Sequence, residues 1–288
     1  MSGMVEVLLD PYHYGFFVRG LAVATLAGGL CGLVGVYITL RGMSYIGHGL
    51  SHAIFGGFAA SSLISVNYYL GAGIWGLASA LAINRVTRRR RIGADAAIGV
   101  ITTASFALGV ALLTIFGNKG PSFDAALFGS IIGVSAGDVA ALAVITVFAV
   151  AVVCVYYREL MFATFDPDVA DVSGVRVARI DALLMLVLSL VILATLTVIG
   201  VTLVAAILVI PAVVARMLTD RFDRMLWYSS GVGAASGFVG MNLSYHLDVP
   251  SGTTIVLTGA TVFVVVLATT GGGRMRRGVA PAAPVRAA

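Results

Sequence analysis

The sequence predicts an all-α fold: a polytopic membrane bundle of about nine transmembrane helices, with the N-terminus outside and the C-terminus inside. Three observations carry that prediction. Of 288 residues, 59% are hydrophobic and 11% are charged, and the mean hydropathy is +1.03, far from the balance of a soluble domain. Nine apolar runs follow one another, most of them near the roughly 17–25 residues that a hydrocarbon core about 30 Å thick demands of a helix. The basic residues sort almost completely to one side of the bundle that these runs define.

The runs fall at 16–40, 45–66, 68–86, 96–116, 139–157, 182–199, 201–215, 225–245 and 253–270. Ahead of the first, residues 1–15 carry Glu6, Asp10 and Pro11 and no basic n-region. No cleavable signal peptide is therefore expected, and 4–17 reads as an interfacial segment. Gly28 and Gly32 form a small-xxx-small pair in the first run, and Gly47, Gly49, Gly56 and Gly57 crowd the second, a pattern that favours close helix packing. The second and third runs part only near Asn67, the sixth and seventh only near Gly200. Leaving both tight hairpins uncrossed gives a seven-span alternative, but the 36 apolar residues 182–217 are too long for one crossing, which favours nine. Pro211 removes a backbone donor and should kink the seventh run. Cys31 and Cys154 fall within spans, where apolar packing is expected rather than a disulfide or ligation. The Gly-, Pro-, Arg- and Ala-rich stretch 271–288 reads as a disordered cytoplasmic tail, leaving 1–270 as one transmembrane domain.

With the N-terminus outside, Arg19 and Lys119 alone of the 18 basic residues lie on the outer side. The others, from Arg41 through the run Arg88 to Arg91 to Arg286, fall on the inner side, as positive charge does in cytoplasmic loops. A net charge of +5 could suggest nucleic acid, but the arginines are spread over five cytoplasmic segments instead of one face. The lipid bilayer and its anionic headgroups are the expected partner, and nucleic acid is not.

His48 and His52 are the chemical focus. They sit four residues apart in the second run, which is otherwise free of formal charge. An i, i+4 spacing puts both imidazoles on one helix face about one turn apart, where two ring nitrogens can reach one cation. An ionisable residue at membrane depth is costly and marks a functional site by default, and neutral imidazole is a common ligand for transition metals. The competing reading is a hydrogen-bonded pair that fixes helix packing. His246 and Asp248, near the outer end of the eighth run, could form an outer metal site or simply a polar interface cap. His13 reads as a surface residue.

The inner loop 158–179 contains Phe165, Asp166, Pro167, Asp168, Val169, Ala170, Asp171, Val172, Ser173 and Gly174. Asp166 can cap a helix, Pro167 suits its first position, Asp168 favours its positive end and Gly174 its stop. A short helix between two spans is expected there, fit to dock a cytoplasmic partner.

Six stretches in order along the chain resemble the permease subunit of the metal-ion ABC importers, the zinc, manganese and iron family. They are Arg41-Gly-Met-Ser-Tyr-Ile-Gly-His-Gly-Leu-Ser-His-Ala53, Asp95-Ala-Ala-Ile-Gly99, Leu127-Phe-Gly-Ser130, Phe165 to Val175, Leu208-Val-Ile-Pro-Ala212, and Leu243 to Gly252. The family's usual pattern has Asp where this chain has His48, followed by the histidine that matches His52, so a hard anionic ligand is replaced by a softer neutral one. The resemblance implies a homodimer of permease chains, each docked through the helix at 166–174 onto a cytoplasmic ABC ATPase. It also implies an extracytoplasmic metal-binding protein that delivers zinc, manganese or iron, and no tightly bound cofactor. The chain offers no phosphate loop of the form Gly-x-x-x-x-Gly-Lys-Ser/Thr, since its only lysine, Lys119, precedes Gly120, so ATP hydrolysis is expected in another chain and this one is not an enzyme.

Three other classes fit less well. An intramembrane metalloprotease would need Glu where Gly49 stands in His-Glu-x-x-His. A haem needs axial ligands on opposite faces, which two imidazoles on one helix face cannot give it. An ion-gradient-driven metal carrier is the alternative that remains, although it would usually bring mid-span carboxylates as proton relays.

Overall fold

The computed structural model describes residues 9–63, 68–87, 93–116 and 134–274, and among these every regular element is a helix. A 3-10 turn, Asp10–His13, leads into α1, Gly15–Leu40. The order continues with α2 (Ile46–Leu63), α3 (Tyr68–Thr87), α4 (Ala94–Phe116) and α5 (Ala136–Val155). Two short helices follow, α6 (Tyr157–Phe165) and α7 (Pro167–Val172). The chain closes with α8 (Val177–Ile199), α9 (Val204–Leu218), α10 (Phe222–Leu247) and α11 (Ser251–Arg274). Nine of these helices coincide with the nine apolar runs. Five of them, α1, α4, α5, α8 and α11, contain stretches long and apolar enough to cross a membrane by themselves, and α9 is a shorter apolar helix.

α1 is the central helix. Of its apolar stretch 72% is buried, against 17% for that of α5, although α5 is the more hydropathic of the two. The depth of α1 comes from its partner α10, its most extensively packed neighbour. At Gly28 and Gly32 any Cβ would strike the backbone of Gly233 and Ser229, so the small-residue pair lets the two main chains touch. Ser229 Oγ adds a hydrogen bond across the seam to the Gly32 carbonyl at 2.6 Å. α2 is held between α3 and α4 and also touches α8 and α9.

Three expectations change. The inner loop holds two helices and not one, because 157–165 is amphipathic: Leu160, Ala163 and Thr164 are buried while Arg158 and Phe162 are exposed. The stretch expected to be disordered from 271 begins in helix, as α11 runs to Arg274. Cys31 is buried as expected, but Cys154 is exposed on α5, which leaves an apolar face uncovered in the single chain. The Arg88 to Arg91 run, the Leu127 to Ser130 motif, Lys119, most of 4–17 before Leu9, and 275–288 lie outside the described residues.

Candidate metal-transit site and coupling helix

The chain turns from α1 to α2 over a few residues fixed by their own backbone. Gly42 takes φ of +67°, which lets its N–H donate to Thr39 O at 3.2 Å and the Met43 N–H donate to Ile38 O at 3.0 Å, the Schellman arrangement. Ile46 N–H then donates to Met43 O at 2.9 Å and starts α2. His48 therefore stands in the first turn of α2 and His52 one turn further, as the spacing requires.

The two imidazoles meet, with ring centroids 4.5 Å apart and planes at 81°. Tyr45 lies 5.5 Å from the His48 ring, and Phe106 of α4 lies 4.8 Å from the His52 ring. Both histidines are half-buried. His52 Nδ1 is buried and has no hydrogen-bond partner among the described residues. A ring nitrogen kept out of water and left unpartnered is costly, and a cation is one group that satisfies it.

Three neighbours set the pair's position. Ser51 Oγ stands 2.8 Å from the His48 carbonyl and 2.8 Å from the Val201 carbonyl, tying α2 to the turn before α9. A Cβ on Gly49 would fall 2.7 Å from Ile98 Cγ2 and 2.9 Å from Thr102 Cγ2, so this glycine admits α4. A Cβ on Gly47 would fall 2.7 Å from Leu208 Cδ1 on α9. His48 opens onto a cavity of about 710 Å³ that is also lined by Gly42, Ser44, Tyr45, Asp95 and Ala205. That is room for an ion with its water shell. Asp95 is the residue whose place here the sequence does not foretell, although it opens one of the six family-like stretches and is a lone carboxylate at the start of an apolar run.

No group of three or more His, Cys, Asp or Glu side chains gathers among the described residues, so the pair falls short of a closed four-ligand shell. His246 and Asp248 are both exposed at the end of α10 and do not line the cavity. The His246 ring rests 5.5 Å from that of Tyr245. Asp248 takes the left-handed conformation, φ 53°, that ends α10. His13 is exposed in the 3-10 turn.

The short helix α7, the candidate for coupling, is built from the predicted parts. The Asp166 side chain caps it, accepting from Val169 N–H at 3.0 Å, with Pro167 in the first turn. It stops in a second Schellman arrangement, with Gly174 at φ +88°, its N–H donating to Asp171 O and the Val175 N–H to Ala170 O, both at 3.0 Å. Ala170 is fully buried, whereas Phe165, Val169 and Val172 are 60%, 50% and 92% exposed, an uncovered apolar surface beside Asp168. Phe165 also meets Phe222 at 5.6 Å, and Phe222 meets Tyr37 of α1 at 5.5 Å.

An all-helical bundle with several helices apolar enough to span a membrane, a histidine pair in the first two turns of α2 and a capped helix between two long ones fits a multi-pass membrane permease, a transport subunit and not an enzyme. The chain belongs to the ABC 3 transport family, whose sequence profile matches residues 13–270. It is 38% identical over 263 residues, 91% of this chain and 90% of the relative, to the manganese transport system membrane protein MntC of Halalkalibacterium halodurans. A probable iron transport system membrane protein of Haemophilus influenzae is 32% identical, over 92% of this chain and 97% of that one. The solved structure of PsaBC from Streptococcus pneumoniae in complex with Fab matches with a TM-score of 0.82 at 29% identity, covering 91% of this chain and 95% of that chain.

Proposed function

We propose that this chain is the membrane-spanning permease of an ATP-driven importer of divalent transition-metal ions, and that the ion passes His48 and His52. The carrying observation is the pair itself: two imidazoles 4.5 Å apart beside a cavity that also exposes a carboxylate, with one ring nitrogen that has no partner among the described residues. Relatives named for manganese and iron transport support the substrate class. A metal-binding protein outside the cell delivers the ion, and two copies of the permease enclose the path. A separate ABC ATPase docks on α7 and energises alternating access. Two imidazoles leave a divalent ion under-coordinated, so water or the same pair from the second copy completes the shell, and incomplete coordination suits a carrier that must let go. With His48 where the family's pattern has Asp, the path accepts zinc alongside manganese and iron.

The test is metal uptake by the permease–ATPase complex in proteoliposomes supplied with the delivery protein. His48→Ala and His52→Ala should each cut uptake by at least about tenfold, the lower end of the loss seen when a metal's surroundings are disturbed, while the ATPase still co-purifies. Wild-type uptake in both variants would remove the histidines from the path. Uptake that proceeds without ATP would instead establish the gradient-driven carrier.

A further inference from the structure

Arg41 ends α1, and its guanidinium reaches two other elements at once. Nη1 donates to Asp181 Oδ1 near the start of α8 at 2.6 Å, and Nε donates to Thr164 Oγ1 near the end of α6 at 3.1 Å. The Arg41 and Asp181 side chains are only 9% and 17% exposed, and Arg41 Nη2 is buried without a partner among the described residues. Withdrawing two charges from water offsets most of their attraction, so such a pair contributes little stability compared with an apolar replacement. What it supplies is geometry, because a planar guanidinium held at two points resists sliding and rotation.

What this fork holds in register can be named. Thr164 stands just before Asp166, the cap of α7, and Asp181 lies in the helix that follows α7. α6 and α8 are the elements on which α7 packs. On the other side of Arg41 the main chain has no slack. The Gly42 and Met43 hydrogen bonds described above lock the turn, and Ile46 N–H to Met43 O and Gly49 N–H to Tyr45 O, at 2.9 and 3.0 Å, lead without a break into the turn of α2 that bears His48. α8 also packs directly on α2.

We propose that Arg41, anchored by Asp181 and Thr164, is a positioning residue that converts displacement of the coupling helix into displacement of the first turn of α2, and so couples nucleotide state to the histidine pair. This rests on the function proposed above. Arg41 acts through its neighbours and is not itself a ligand of the ion.

The decisive measurement is ATP hydrolysed per metal ion imported, by the whole complex in proteoliposomes with manganese as the probe. Arg41→Gln and Asp181→Asn should each raise that ratio by about tenfold, inside the range that coupling between distant sites spans, in complexes that keep the ATPase bound. Arg41→Lys, which keeps the charge but loses the planar fork, should fall between these and wild type. A wild-type ratio in Arg41→Gln or Asp181→Asn overturns the proposal. Should either fail to assemble, Thr164→Val decides, because it deletes one hydroxyl and no charge: a raised ratio supports the lever and an unchanged one overturns it. A wild-type complex that imports neither manganese nor zinc would overturn the functional reading and the lever with it, whereas a working wild type beside an equally coupled Arg41→Gln overturns the lever alone.

Discussion

His48 and His52 were legible in the sequence because their spacing is local: four residues of helix fix their relation whatever else the chain does, and the rings meet as that spacing demands. Asp95 and Arg41 were not legible in this way. The partners of Arg41 lie 123 and 140 residues away, and the cavity that joins Asp95 to His48 exists only once α2, α4 and α9 converge. At this scale a single side chain should set which metal is preferred. His48→Asp restores a hard, anionic oxygen ligand beside the borderline imidazole of His52 and should shift competition between zinc and manganese toward manganese. Import from an equimolar mixture, read by elemental analysis, checks this; an unchanged ratio would mean that selectivity is set elsewhere.

Among elements, the clearest agreement is α7. Cap, proline and stop residue all sit where composition put them, because each acts within a few residues of itself. The neighbouring α6 escaped the sequence reading, since Arg158 and Glu159 mask an amphipathic helix whose buried face is read only against α5 and α8. Gly174 gives a prediction that leaves the exposed docking surface intact. At φ +88° a side chain meets the left-handed penalty of about 1–2 kcal/mol, so Gly174→Val should fray α7 and reduce ATPase co-purification, with Gly174→Ala less affected. Full co-purification of the valine variant would show that docking does not need a closed α7.

Across the whole molecule, the arginine sorting predicts one topology, with 173 on the inner side and 248 on the outer. In intact cells, an impermeant thiol reagent should label Asp248→Cys and should reach Ser173→Cys only after permeabilisation; the opposite pattern would invert the orientation. The native Cys154 on exposed α5 requires replacement by Ala first. By itself the sequence determined where the nine apolar helices run, how α7 begins and ends, and that two imidazoles share one face, because hydropathy and short-range spacing decide those things. Tertiary structure alone decided which apolar helix is central, which cysteine is covered, and which distant charge meets Arg41. In a bilayer a helix can be apolar on its lipid side and its protein side alike, so periodicity marks no inward face, and only the close approach that glycines allow between particular backbones tells α1 from α5.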